Sequence, residues 1–307
     1  MKLCFLLLQL ALLGTQTTPV SGAAVVATST TRRNEENNIV VPSTAMLARC
    51  PKACGNLSFA YPFGIGSGCF RAPEFNLTCV DGGIPRILFV DGITEVIDGD
   101  TSEPSGIDVG WSQLINIAYN STIPVVSGVD VYNMSSWSPP GRSFVLFGSS
   151  INVMACGFDV YLLDHDTGTS SNVCSTTCPG GQMTETAALQ NCNGTWCCSV
   201  RFFINFQGFQ FSFVRRRGED DSRVVDHSSP LWNKISVTTN YARLMWRVLD
   251  QPTCADAEGD AATYACISNH SSCYDTSLTH AGYQCSCNGG YLGNPYVRGG
   301  CSRDKGN

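Results

Sequence analysis

From about residue 80 to residue 150, apolar and polar positions alternate in short runs, each ended by a turn former. Ile87–Val90 is closed by Asp91-Gly92 and followed at once by Ile93–Ile97, the pattern of a hairpin with a two-residue loop. Ile107–Val109, Leu114–Tyr119, Val125–Val131 and Phe144–Phe147 continue in the same manner. Phe144–Leu163 is interrupted by Gly148-Ser149-Ser150, Asn152 and Asp159 and reads as two short strands. Val200–Val214 alternates in part, with Phe202, Ile204 and Phe206 on one face. Gly208 marks a bend or bulge, and Phe209, Phe211 and Val214 resume beyond it. Leu244–Leu249 reads as a closing strand. No stretch sustains a helical period, so the pattern predicts a mainly β chain of small antiparallel modules, with Tyr61, Phe63, Phe75 and Trp111 helping to fill the interior.

The N-terminus has a different pattern. Lys2 precedes the apolar run Leu3–Leu13, and Ser21-Gly22-Ala23 supplies small residues for cleavage. The run is too short to span a bilayer, so residues 1–23 read as a secretory signal peptide. No later segment approaches the ~20 apolar residues of a membrane helix. Residues 24–49 have neither cysteine nor sustained period and read as a flexible leader, with Arg32-Arg33 as solvated charge or a processing site.

Cysteine use then changes the class of the protein. Of 17 cysteines, Cys4 leaves with the signal peptide, and the remaining 16 suffice for eight bridges in an oxidising compartment. They fall into three groups. Cys50, Cys54, Cys69 and Cys79 lie close together around a Tyr61-Pro62-Phe63-Gly64 turn. Cys156, Cys174, Cys178, Cys192, Cys197 and Cys198 form the second group, and Cys254, Cys266, Cys273, Cys285, Cys287 and Cys301 the third. The spacing leaves the pairing open. The groups divide the chain into modules at 50–156, 157–250 and 254–301, and the last is too short to bury much core without cross-links. Six sequons, at Asn56, Asn76, Asn120, Asn133, Asn193 and Asn269, fit a glycosylated secreted surface.

Charge excludes more than it assigns. The net charge of −6, about −7 without Lys2, argues against nucleic-acid binding. Gly64-Ile-Gly-Ser-Gly68 lacks the Lys-Ser/Thr of a phosphate loop, and no hydrolase, zinc-protease or kinase signature occurs. Asp164-His165-Asp166 is a polar loop run, and none of the acidic pairs stands out as a glycosidase pair. Arg215-Arg216-Arg217, facing Glu219-Asp220-Asp221, reads as a solvated hairpin loop. The chain is expected not to be an enzyme.

Three motifs resemble one family. Cys50…Cys54-Gly55…Tyr61-Pro62-Phe63-Gly64…Cys69…Phe75-x-Leu77-x-Cys79 resembles the galacturonan-binding domain of plant wall-associated receptor kinases. Cys192-Asn-Gly-Thr-Trp-Cys197-Cys198 is similar to a paired-cysteine element further along the same ectodomains. Gly282-Tyr-Gln-Cys285-Ser-Cys287 with Gly290-Tyr-Leu-Gly-Asn-Pro-Tyr296 and Gly300-Cys301 resembles their EGF-like repeat. The resemblance implies a galacturonan-binding-like domain at 50–156, the family's C-terminal cysteine-rich region at 157–250 and an EGF-like module at 254–301. For that module it implies the pairs Cys254–Cys273, Cys266–Cys285 and Cys287–Cys301.

By the same resemblance the ligand is an acidic cell-wall polysaccharide, de-esterified homogalacturonan or its fragments. The alternative is an ectodomain that binds another extracellular protein through its EGF-like module. A carboxylate array calls for Arg or Lys, and arginine's planar donors engage both carboxylate oxygens. Lys52, Arg71 and Arg86 are the expected ligand-binding residues, with Arg71 held next to Cys69. No metal or cofactor is expected, and calcium enters only as an ion bridging pectin carboxylates. Family members continue into a membrane helix and a kinase, and this chain ends at Asn307 with neither. That leaves a secreted wall protein, a decoy-like paralogue or an incomplete gene model, the last placing it on the outer face of the plasma membrane.

Overall fold

The computed structural model describes residues 44–97, 106–107, 114–163, 168–179, 183–202, 208–216, 230–276 and 281–304. The expected signal peptide, most of the leader, Trp111, Asp164-His165-Asp166, Ile204, Phe206 and Arg217 lie outside them. The end of the leader forms one helical turn, α1 (Thr44–Leu47), and Leu47 packs on the core.

In the head, β1 (Ala53–Cys54) pairs with β2 (Leu57–Phe59), and Cys50–Cys69 and Cys54–Cys79 cross-link this corner. Next come β3 (Leu77–Val80), β4 (Arg86–Phe89) and β5 (Glu95–Val96), joined antiparallel. The β4–β5 hairpin exists, but five residues, 90–94, separate its strands rather than two. The Asp91 carboxylate accepts from the Ile93 and Thr94 amides and the Thr94 hydroxyl, and this local network outcompetes a tight two-residue turn. A short β6 (Gly106–Ile107) runs parallel to β2.

The chain then builds β7 (Leu114–Ala118), β8 (Asn120–Pro124), β9 (Val131–Asn133), β10 (Phe144–Met154), β11 (Phe158–Leu163) and β12 (Ser170–Ser175). After α2 (Glu185–Gln190), capped by Thr184, come β13 (Cys197–Phe202), β14 (Gln210–Arg215) and β15 (Lys234–Trp246). One sheet has the order β13-β10-β15-β7-β5-β4-β3, with β8 also on β15; a second has the order β12-β11-β14-β9. Gly148-Ser149-Ser150 does not break β10 in two. Gly148 takes φ +77° and the register shifts between Leu146 and Ser149, so a bulge absorbs the misfit and the strand runs on to Met154. Of Val125–Val131 only the last residue enters a strand, at the start of β9. Residues 125–130 form a loop around the Tyr132 hydroxyl, which accepts from the Val126 amide and donates to its carbonyl.

Both sheets share one apolar core. Ile87, Phe89, Ile115, Ile151, Val153, Val237 and Leu244 of the first meet Phe158, Val160, Phe211 and Phe213 of the second. Phe213, rather than Val214, carries the buried face of β14. The expected boundary at Cys156 therefore falls inside a shared fold, because β10 is hydrogen-bonded on both edges by β13 and β15 from beyond it. Cys156–Cys178, Cys174–Cys198 and Cys192–Cys197 staple the region around a smaller core of Met154, Trp196 and Leu231.

The C-terminal module comprises α3 (Cys254–Glu258), the β16 (Ser271–Asp275)/β17 (Tyr283–Cys287) hairpin and the β18 (Tyr291–Gly293)/β19 (Cys301–Arg303) hairpin. Its bridges are Cys254–Cys273, Cys266–Cys285 and Cys287–Cys301, the EGF order. The module is not a separate bead. Val248 and Tyr283 exchange both backbone hydrogen bonds, the Gln284 side-chain Nε2 donates to the Trp246 carbonyl, and Tyr296 packs 5.7 Å from Trp246. No helix among the described residues is long and apolar enough to cross a membrane.

Candidate functional site

The three cations expected to share a ligand are placed in three different environments. Arg71 is 6% exposed. Its Nε donates to Asp250 Oδ2 at 3.0 Å, and its Nη2 donates to the same oxygen and to the Thr263 carbonyl. Burial alone would lower its pKa, but the Asp250 charge and hydrogen bond hold it above the ordinary arginine value. Burial likewise raises the nearby phenols of Tyr61 and Tyr283, Tyr283 to about 12, so both stay neutral around the ion pair at physiological pH. The expectation of a ligand-facing Arg71 is corrected here. The turn that Cys69 stabilises points it inward, where it ties the head to the chain entering the EGF-like module.

Lys52 is exposed on the rim of a cavity of about 260 Å³. Pro51, Phe59, Tyr61 and Cys69 supply the wall on the head side, and Asn294 and Val297 supply the opposite wall from the EGF-like module. Asn294 Nδ2 donates to the Tyr61 carbonyl at 2.6 Å, which fixes the two walls relative to each other. The Tyr-Pro-Phe-Gly turn thus serves packing as well as the cavity. Phe63 lies edge-on to Phe75 at 5.1 Å and to Trp246 at 5.4 Å in the core beneath. Chemically, the cleft offers an aromatic and aliphatic lining with one accessible ammonium at its mouth.

Arg86 lies elsewhere, on the outer face of the large sheet, its side chain half exposed and 3.3 Å from Glu95. No group of His, Cys, Asp and Glu able to hold a metal ion forms among the described residues. Sequence reading missed Asp250 and Asn294. Both are single polar residues whose partners lie far away in sequence; Asn294 falls within the Gly290–Tyr296 motif, but nothing local points it to Tyr61, and no local pattern marks Asp250.

Comparison with known proteins fits this geometry. Residues 50–103, the head with its cysteine pairs and Lys52, match the family described as wall-associated receptor kinase galacturonan-binding. Wall-associated receptor kinase 3 of Arabidopsis thaliana is 30% identical over 284 residues, covering 82% of this chain and 35% of that protein. The chain is a homologue of the wall-associated receptor kinases. Wall-associated receptor kinase 4 of the same plant is 28% identical over 274 residues, with 83% and 34% covered, and wall-associated receptor kinase 1 is 27% identical over 273 residues. The chain thus spans about a third of the length of the wall-associated receptor kinases it matches, and the match lies in their non-kinase part.

Proposed function

We propose that this chain is a non-catalytic wall-associated or secreted glycoprotein that binds pectin, as de-esterified homogalacturonan or its oligomers. The observation that carries the reading is the cleft beside Lys52. It lies in the stretch that matches the galacturonan-binding family and sets an accessible cation against an apolar, aromatic wall. A uronate has the complementary features, a carboxylate beside the apolar face of a ring. Eight disulfides support an oxidising, extracellular setting. The alternative, an EGF-like module that reaches out to a protein partner, is less favoured because that module is docked and forms one wall of the cleft.

The test is equilibrium binding of the disulfide-intact protein to galacturonan fragments of defined length and methyl-esterification, at two salt concentrations. De-esterified chains should bind best, and more weakly at high salt. Lys52→Ala should weaken binding about three- to tenfold without shifting the denaturation midpoint, as suits an exposed charge. Equal binding to neutral glucans, or none to any glycan, would sink the reading.

A further inference from the structure

The large sheet buries one face and leaves part of the other open. Arg243 on β15 stands opposite Asn116 on β7, and the Ile97 amide donates to the Asn116 carbonyl at 3.1 Å. Continuing the β4–β5 register places Ile97 beside Arg86. Tyr241 lies two residues before Arg243, on the same face. It stands opposite Ser150 on β10, which in turn faces Arg201 on β13. An outer band crossing six strands, β4 to β13, therefore carries Arg86, Asn116, Arg243, Tyr241, Ser150 and Arg201.

The chemistry of this band is specific. Tyr241 is 41% exposed, and the Arg243 guanidinium lies over its ring, 4.8 Å from the centroid. Arg201 is exposed, and neither it nor Arg243 is ion-paired to another described residue. Among the described residues, Glu95 is the acid paired with a band arginine, at Arg86. With strands ~4.8 Å apart, Arg86 and Arg243 are separated by about 14 Å, and Arg201 stands about 10 Å from Tyr241 on the other side. On a protein of net charge −6, three arginines on one sheet face form a local reversal of sign.

We propose that this band is a second binding surface, for an extended linear polyuronate. Arg86, Arg243 and Arg201 engage carboxylates at intervals along the chain, and Tyr241 stacks on a sugar ring between them. Planar guanidinium groups suit carboxylates, and the preformed Arg243–Tyr241 stack lowers the cost of ordering either side chain on binding. A face that crosses six strands fits a long chain, whereas the Lys52 cleft fits at most a short segment. The proposal rests on the uronate reading above but places the contact on residues 86–243, mostly beyond the stretch 50–103 that matches the galacturonan-binding family.

The experiment compares short and long de-esterified oligogalacturonides on the full, disulfide-intact chain. N-glycans are trimmed, because the Asn120 sequon lies opposite Thr238 beside the band. Arg201→Gln with Arg243→Gln, and separately Tyr241→Ala, should weaken binding of the long chains about tenfold and leave the short ones unchanged. Tyr241→Phe should retain binding, and the arginine pair should flatten the salt dependence. Unfolding midpoints of the arginine variants are read alongside to show that they fold. If the unaltered protein binds uronates, Lys52→Ala weakens them and the band variants do not, the band proposal falls while the cleft reading stands. If the unaltered protein binds no uronate, both fall. Binding to anionic lipid vesicles that depends on the same arginines, without uronate binding, would reassign the band to a membrane surface.

Discussion

Arg71 and Asp250, 179 residues apart in the chain, form a buried ion pair in which Arg71 Nε donates to Asp250 Oδ2 at 3.0 Å. The same guanidinium donates to the Thr263 carbonyl, so one side chain of the head holds both the entry to the EGF-like module and a loop within it. Removing one partner leaves the other charge in a site that has almost no access to water. Asp250→Asn should therefore cost about 3 to 5 kcal/mol of unfolding free energy in urea. The double variant Arg71→Met, Asp250→Leu should recover part of that loss, since the penalty comes from the orphaned charge. A loss below about 1 kcal/mol for Asp250→Asn would mean that the pair is not buried as described.

Shared strands make a second prediction. A fragment ending at Cys156 keeps β10 but removes β13 and β15 from its two edges. It also exposes the faces of Ile151 and Val153, which are fully buried in the whole chain. Such a fragment should show no cooperative unfolding transition and should bind a hydrophobic dye, whereas the chain through Asp304 should unfold cooperatively. A cooperative, dye-silent fragment would contradict a shared core.

Gly282 provides a backbone test of how the EGF-like module is docked. Its φ is +113°, and an added Cβ would lie 2.7 Å from the Val248 carbonyl oxygen and 2.8 Å from Leu249 Cδ2. Gly282→Ala should destabilise the protein by about 1 to 3 kcal/mol. The damage should be local, with faster hydrogen exchange at Tyr283, whose amide donates to the Val248 carbonyl. Unchanged exchange there would argue against this docking.

Alkaline titration probes the polar node. Burial raises the Tyr283 phenol from its ordinary value of 10.0 to about 12, because the neutral form is favoured inside the fold. A folded pKa above the unfolded one contributes stability that is fully present below about pH 10 and is lost as pH rises through about 12. Two units correspond to about 3 kcal/mol for this group. Urea midpoints should fall across that window, and Tyr283→Phe should flatten the fall while losing the hydrogen bond from the Ala265 amide. Tyrosinate absorbance developing for Tyr283 near pH 10 in the folded protein would overturn the assignment.

Much of the architecture is legible in the sequence. Strand alternation located β4 and β7, the Leu244–Leu249 reading caught only the end of β15, and the EGF resemblance implied the three bridges that the module forms. Misreadings cluster where a distant group intervenes. Tyr132 holds residues 125–130 as a loop, a bulge carries β10 past Gly148, and β15 extends to Lys234 because β8 and β10 satisfy its backbone. None of these partners lies within a local window.

The sequence by itself determined the β periodicity, the cysteine inventory and the family resemblance, because each is written in residue types at short spacing. Only the tertiary structure decided where the cations point. Arg71 enters the interior because Asp250 waits there, while Lys52 stays at the mouth of a cleft whose second wall comes from Asn294. Arg86, Arg201 and Arg243 share a face because strand register aligns them across the sheet. Charge is a property of a residue, but its availability to a ligand depends on burial and pairing, and long-range packing sets both.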